Sequence, residues 1–169
     1  MKFLILILFM CSVAQANEFD KHPIYKQIVT NSPNIDRTYA MNLSNIIHRK
    51  AKHYDIRANL MTAIFMQEST YIAHNHSLSC GIDQLNIKYE TCVIADFGMG
   101  QINYKTAKAF GFDLTKLKSD MEYNIDCSFK IMKDFKNRYF KNEYYWWTRY
   151  NSSTPSYRNK YREDVQRWM

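Results

Sequence analysis

Apolar side chains recur along this chain at three- and four-residue steps, and over no convincing length at every second residue. Tyr39, Leu43, Ile46, Ile47, Ala51 and Tyr54 form one series, and Met121, Ile125, Phe129, Met132 and Phe135 form another. A 3.6-residue period places each series on one helix face, whereas a half-buried strand alternates. The chain is therefore expected to be mainly α. Its 169 residues suffice for one domain with a real core and are too few for two. With 4 Gly and 3 Pro it lacks the turn chemistry of a β-sandwich, and a hydrophobic share of 46% excludes a disordered chain.

Helices are predicted over 36–54, 58–69, 104–110, 120–139, 143–150 and 156–168. Asn59 is the expected cap of the second and Gly111 the expected terminator of the third. Residues 72–97 form a polar excursion without a strong period, with room for a patch of two or three strands within 72–100. No internal repeat is present.

The start of the chain carries targeting information. Lys2 precedes an unbroken apolar run, FLILILFM, and Ala14-Gln15-Ala16 offers the small residues a signal peptidase reads. This pattern is that of a secretory signal peptide cleaved near Ala16. The run falls short of the roughly 20 residues a mature membrane span needs, and no second run approaches that length. Phe9 and Met10 are too bulky for lipoprotein processing at Cys11. The expected organisation is a signal peptide (1–16), a polar lead-in (17–35) and one domain (36–169), exported to the periplasm or cell envelope without a stable membrane span.

Export changes how the cysteines are read. Cys80 and Cys92 flank the polar stretch GIDQLNIKYET, and in an oxidising compartment such a pair is expected to be bridged. The competing idea is a metal site from His74, His76, Cys80 and Cys92, but that spacing matches no common zinc pattern, so no metal is expected. Cys127 falls within a helical pattern, where it suits a small buried apolar position.

A net charge of +7 and a pI near 9.2 fit either ordinary solubility or an acidic polymer partner. The basic residues are scattered and not arranged in a stripe, so no nucleic-acid role is expected. Phosphate-loop, nucleophile-elbow and HExxH patterns are absent from the sequence. His48 and His53 stand five residues apart, which does not place them on one helix face.

One carboxylate stands out. Glu68 ends the apolar segment LMTAIFMQESTY. Desolvation there disfavours the charged form, and the negative end of a helix acts in the same direction. A glutamate so placed can keep its proton near neutral pH and deliver it to a leaving group. Periodicity alone also leaves open a solvated glutamate at a helix end.

Taken in order, LMTAIFMQESTY (60–71), DFGMGQIN (96–103), RYN (149–151) and Tyr161-x3-Val165 resemble the lytic transglycosylase domain related to goose-type lysozyme. The chain is most similar to the small exported kind that accompanies conjugation and type IV secretion machines. The resemblance spans roughly 40–166 and implies a lysozyme-like fold acting on peptidoglycan glycan strands, with no cofactor. It implies Glu68 as the catalytic acid. It also implies Gly98, Met99, Gly100, Gln101, Ile102 and Asn103 along the glycan cleft, with Tyr150 and Asn151 closing it beside the scissile bond. Departures are Gly100, where Met is commoner, and Ser152–Pro155 after the Tyr-Asn pair.

Residue types refine these roles. Gln101 and Asn103 suit N-acetyl and hydroxyl groups, and Gly98 and Gly100 would let backbone approach a sugar. Ser69 either holds Glu68 in place or caps the helix end. Asp96 is the one tempting second carboxylate, against its reading as a loop or capping residue. Tyr144, Tyr145, Trp146 and Trp147 suit packing, with sugar stacking by one of them as the sharper reading. The expected reaction leaves a 1,6-anhydro end at the cut between N-acetylmuramic acid and N-acetylglucosamine, opening the wall for a secretion or conjugation apparatus. The alternatives are a hydrolase of the same bond and a non-catalytic wall-binding factor.

Overall fold

The computed structural model describes residues 22–75, 77–79 and 93–169. The expected signal peptide and the Cys80–Cys92 pair lie outside the described residues. Among these residues the chain forms seven α-helices, one 3-10 turn and a small sheet, so the mainly helical expectation holds.

The long helices follow the predicted periods. Helix α2 (Arg37–Tyr54) is capped by Asp36, which accepts from the Tyr39 N–H, and it buries Ala40, Leu43, Ile46, Ile47 and Ala51. Helix α3 (Ala58–Ser69) is buried on all sides from Leu60 to Met66 and forms the centre of the molecule. It starts after Arg57 and has no side-chain cap, so Asn59 is not the cap expected from the sequence. Asn59 lies inside the first turn instead, and its carbonyl accepts from Gln27 Nε2 at 3.0 Å. Helix α6 (Met121–Tyr139) packs on α2, with Asp120 as its N-cap.

Two helices were not expected. Helix α1 (Pro23–Asn31) forms within the stretch read as a lead-in, with Pro23 at its first position, where a missing N–H removes no bond. Its Ile24, Tyr25 and Ile28 are buried in the main core, a stripe too short to stand out as a period. Helix α5 (Leu114–Ser119) is capped by Asp113 and buries only Leu117.

Between α3 and α6 lies the sheet, β1 (Ser77–Ser79), β2 (Val93–Phe97) and β3 (Ile102–Asn103), antiparallel in that order. Asn103 caps the short helix α4 (Tyr104–Ala109). Phe97, Ile102, Ala107 and Leu117 join Cys127 and Ile131 in a second apolar cluster on the flank of α6. Cys127 is fully buried there, as its helical position suggested.

The C-terminal part closes over α3. The 3-10 turn Trp146–Tyr150 replaces the helix predicted over 143–150. It is tied down by Glu143, which binds both Arg149 and Arg158. Helix α7 (Pro155–Arg167) then buries Tyr161 and Val165, one turn apart. Its end is clasped by α1, because the Trp168 carbonyl accepts from Gln27 Nε2 at 2.9 Å and Asn31 Nδ2 at 2.8 Å. No helix among the described residues is long and apolar enough to cross a membrane.

Candidate active site

Helix α3 stops abruptly just beyond Glu68. Thr70 (φ 52°) and Tyr71 (φ 64°) both adopt left-handed backbone, and their N–H groups fold back onto the carbonyls of Met66 and Phe65. For a β-branched residue such a conformation costs on the order of 1–3 kcal/mol, so packing must impose it. Tyr71 supplies that packing: its side chain is buried, its carbonyl accepts from Tyr39 Oη at 2.8 Å, and its hydroxyl accepts from Asn31. The strained turn therefore fixes where the last helical carboxylate points.

Glu68 is half-buried, and its Oε1 accepts from Tyr161 Oη at 2.5 Å. Desolvation raises its carboxyl to about 7; the Tyr161 bond works against that rise, and the charge of Asp96 adds to it. Tyr161 and Tyr150 are in turn held neutral far above the usual phenol range, first by burial and then by the charge of Glu68. The preceding residue is also fixed, since Gln67 Oε1 accepts from Trp168 Nε1 at 3.0 Å. Glu68 is thus a carboxylic acid of tuned acidity on an immobile helix end, with a neutral phenol oriented on one oxygen.

Across from it runs the turn between β2 and β3, held from below by α6. Asn124, buried on α6, accepts from the Gly100 N–H at 2.9 Å and donates to the carbonyls of Phe97 (2.9 Å) and Leu117 (3.2 Å). Tyr150 Oη donates to the Gly100 carbonyl at 2.7 Å. Gln101 (φ 44°) donates from Nε2 to the carbonyls of Asn75 and Gly98, stapling the turn to the segment that follows α3.

The two glycines answer to this packing. A Cβ on Gly98 (φ +64°) would lie 2.5 Å from Asn124 Nδ2, and one on Gly100 would lie 2.0 Å from Ser128 Oγ and 2.8 Å from Tyr150 Oη. The space a side chain would fill is occupied by the protein itself. Gly100→Ala is expected to destabilise by about 1–3 kcal/mol, as overpacking does, and to displace Tyr150. Urea unfolding of Gly100→Ala and of Gly100→Ala/Ser128→Ala checks this. The double variant should recover only part of the loss, because the Ser128 Cβ remains 3.2 Å away.

The expected site residues therefore divide. Glu68, Gly98, Gly100, Gln101 and Tyr150 come together around the end of α3. Met99 is fully buried in the main core, where no sugar reaches it. Ser69 is buried too, and its hydroxyl donates back to the Phe65 carbonyl at 3.1 Å, a bond within its own helix. Asn103 caps α4 through Oδ1 and donates from Nδ2 to Asp96 at 3.1 Å. Asn151 is exposed just beyond Tyr150, its N–H on the Thr148 carbonyl. Asp96 is a strand residue and not a loop cap. Tyr161, which the sequence marks only as part of the ordered series, is the direct partner of Glu68. A lone tyrosine in a polar helix carries no signal of that role, although the four-residue step to Val165 marks both as inward-facing.

An open cleft of about 810 Å³ lies elsewhere, bordered by Arg57 and Leu60 near the start of α3 together with Lys136, Phe140, Tyr144 and Trp146. Glu68, at the opposite end of α3, does not border it. Tyr144 is almost fully exposed on its rim, whereas Trp146 and Trp147 are buried, so the two tryptophans pack and do not offer stacking faces.

Residues 45–167 match the family model described as Transglycosylase SLT domain. Neither a curated protein nor a solved structure matches the chain. The matched span begins inside α2 and runs to the end of α7, and it contains each group placed around Glu68.

Proposed function

Because the chain belongs to the Transglycosylase SLT domain family, and so is a transglycosylase acting on peptidoglycan, we propose that Glu68 alone donates and recovers the proton in its reaction. The observation that carries this reading is the tuned Glu68 carboxyl, raised to about 7 by burial and oriented by Tyr161. An acid near neutrality retains a proton to give and is still a competent base once it has given it.

The reaction follows from those properties. Glu68 protonates the glycosidic oxygen between N-acetylmuramic acid and N-acetylglucosamine, and the bond to C1 breaks. The acetamido group of the sugar stabilises C1, as in substrate-assisted glycosidases. Glu68, now anionic, takes the proton of the 6-hydroxyl of the same sugar, whose oxygen closes on C1. The product is a 1,6-anhydro end and no water is consumed. An attacking group already on the substrate avoids the entropy cost of recruiting a second molecule.

Tyr150 and Asn151 frame the site from the 3-10 turn, and Gln101 shapes the facing turn with its amide while leaving its carbonyl oxygen as an acceptor for a sugar. The protein acts after export, following cleavage near Ala16, and opens the wall locally for an envelope-spanning secretion or conjugation apparatus. Support for export is the apolar run behind Lys2.

Mass spectrometry of fragments released from purified sacculi tests the chemistry. The expected products carry anhydro ends, lighter than reducing ends by one water. A digest made only of reducing ends identifies a hydrolase of the same bond, and no digest at all leaves a wall-binding factor.

A further inference from the structure

The cleft at the far end of α3 takes no part in the reaction described above. It is formed by the end of α2, the start of α3 and the link from α6 to the 3-10 turn. Leu60, which lines it, lies about 12 Å along the helix axis from Glu68, at ~1.5 Å of rise per residue. Two features of its border point to a ligand. The first is charge. Lys52, Arg57 and Lys136 face a single acidic side chain there, Asp55. Lys136 already neutralises Asp55, with Nζ 2.8 Å from Oδ2. Lys52 and Arg57 have no ion-pair partner among the described residues, so the cleft keeps two uncompensated cations. The second feature is apolar. Phe140 is 59% exposed and Tyr144 87% exposed, and both border the same concavity. Exposed rings gathered in this way mark an interaction surface. Buried Trp146 backs Phe140, its ring centroid 6.3 Å away, so that wall is preformed.

We propose that this cleft is a second binding site for peptidoglycan, one that takes a strand neighbouring the strand being cut and holds the protein on the wall between cuts. The chemistry of the polymer matches the border. Sugar rings present faces of C–H groups that lie well against aromatic rings, which suits Phe140 and Tyr144. Stem peptides carry free carboxylates, which suit Lys52 and Arg57. The family's substrate is this same acidic polymer, so the occupant is at hand wherever the protein acts. An open cleft also lets a long chain pass through, where a small molecule would need to be enclosed.

Sedimentation with purified, protein-free sacculi tests the site, in a Glu68→Gln background so that no digestion intervenes. Adding Lys52→Gln/Arg57→Glu should weaken binding on the order of 10-fold, with the difference shrinking as salt rises. The fold tolerates both changes, because Lys52 is exposed and an acidic residue at position 57 suits the start of a helix. Tyr144→Ala should weaken binding about fivefold, as loss of an aromatic anchor does. Lys26→Gln/Lys108→Glu removes the same charge from exposed positions that do not border the cleft, and should bind like the Glu68→Gln parent. With Glu68 intact, Lys52→Gln/Arg57→Glu should cut a soluble glycan tetramer at the wild-type rate, because one short strand fills only the active site, and should release fragments from sacculi more slowly. Unchanged sedimentation of both cleft variants would overturn the proposal and leave the cleft to a protein ligand. An equal loss in the Lys26/Lys108 control would overturn it as well, reducing the effect to overall charge. The inference needs only that the chain acts on peptidoglycan: if Glu68→Gln still releases fragments, the acid assignment fails and the comparison of cleft variants stands.

Discussion

Replacing Glu68 with glutamine is expected to lower glycan release from sacculi by at least about 10³-fold, within the range that loss of a general acid produces. The near-isosteric amide still accepts from Tyr161 Oη, so the fold has no reason to change. It has no proton to give a leaving oxygen, and once the bond is strained it offers no base for the 6-hydroxyl. In the wild type the same group sets the pH profile. Glu68 must be protonated to begin the reaction, so kcat/KM should fall as pH rises through about 7, the value to which burial lifts this carboxyl.

The same substitution should stabilise the protein, with a particular pH dependence. The folded carboxyl ionises near 7 and the unfolded one near 4.5. Below about 4.5 the group is protonated in both states and contributes nothing. Between 4.5 and 7 the unfolded chain ionises first, so stability declines as pH rises, and above 7 the full penalty of a desolvated anion is present. Discounted for the partial exposure of Glu68, that penalty is about 1–3 kcal/mol. Glu68→Gln should therefore melt several degrees higher than wild type at pH 8 and at the same temperature at pH 4. Thermal unfolding at both values checks this; a uniform gain across pH would mean that Glu68 is not desolvated in the folded protein.

How the sequence reported on this site depends on where each signal was local. Glu68 was legible because burial of α3 is written in consecutive residues, LMTAIFM, and a carboxylate at the end of such a run stands out. The long helices were legible for a similar reason: the period of Leu43, Ile46, Ile47 and Ala51 needs no partner to be seen. Helix α1 was not, since a nine-residue stripe is too short to show a period, and its role in clasping Trp168 is a contact across most of the chain. The motif Gly98–Asn103 was recognisable as a motif, but the work its residues do was not. Met99 fills the core, Gln101 staples Asn75 and Asn103 caps α4, because a short turn must satisfy its own backbone before it can contact anything else. Polar residues in such a turn suggest ligand contacts, and packing decides how many remain available.

Asn124 shows the same principle from the opposite side, and it carries the largest expected effect on stability. Nothing in the pattern of α6 marks it: it is one polar residue in an amphipathic helix, adjacent to Ile125. In the fold it is buried and spends one acceptor and two donors on the Gly100 N–H and on the carbonyls of Phe97 and Leu117. Asn124→Leu keeps the branching of the side chain and removes all three bonds at once. Buried polar groups stripped of a partner cost about 1–3 kcal/mol each, so a loss of about 3–5 kcal/mol is expected, a large fraction of the stability of a domain this size. Urea unfolding measures it. Ser128→Ala is the comparison, since the Ser128 hydroxyl donates to the Asn124 carbonyl within the helix and also bonds Tyr150, and losing it should cost about 1 kcal/mol, well below the loss for Asn124→Leu. The catalytic consequence then follows from geometry. With Gly100 released, Tyr150 loses a fixed acceptor, so activity should fall even under conditions where the variant is fully folded. Faster hydrogen exchange at the Gly100 amide would report the release directly. Glu68→Gln removes the chemistry and spares the fold, whereas Asn124→Leu removes the support and leaves the acid intact. If Asn124→Leu kept wild-type turnover when folded, the turn would not be part of the catalytic arrangement, and only the end of α3, Tyr161 and the 3-10 turn would remain as its framework.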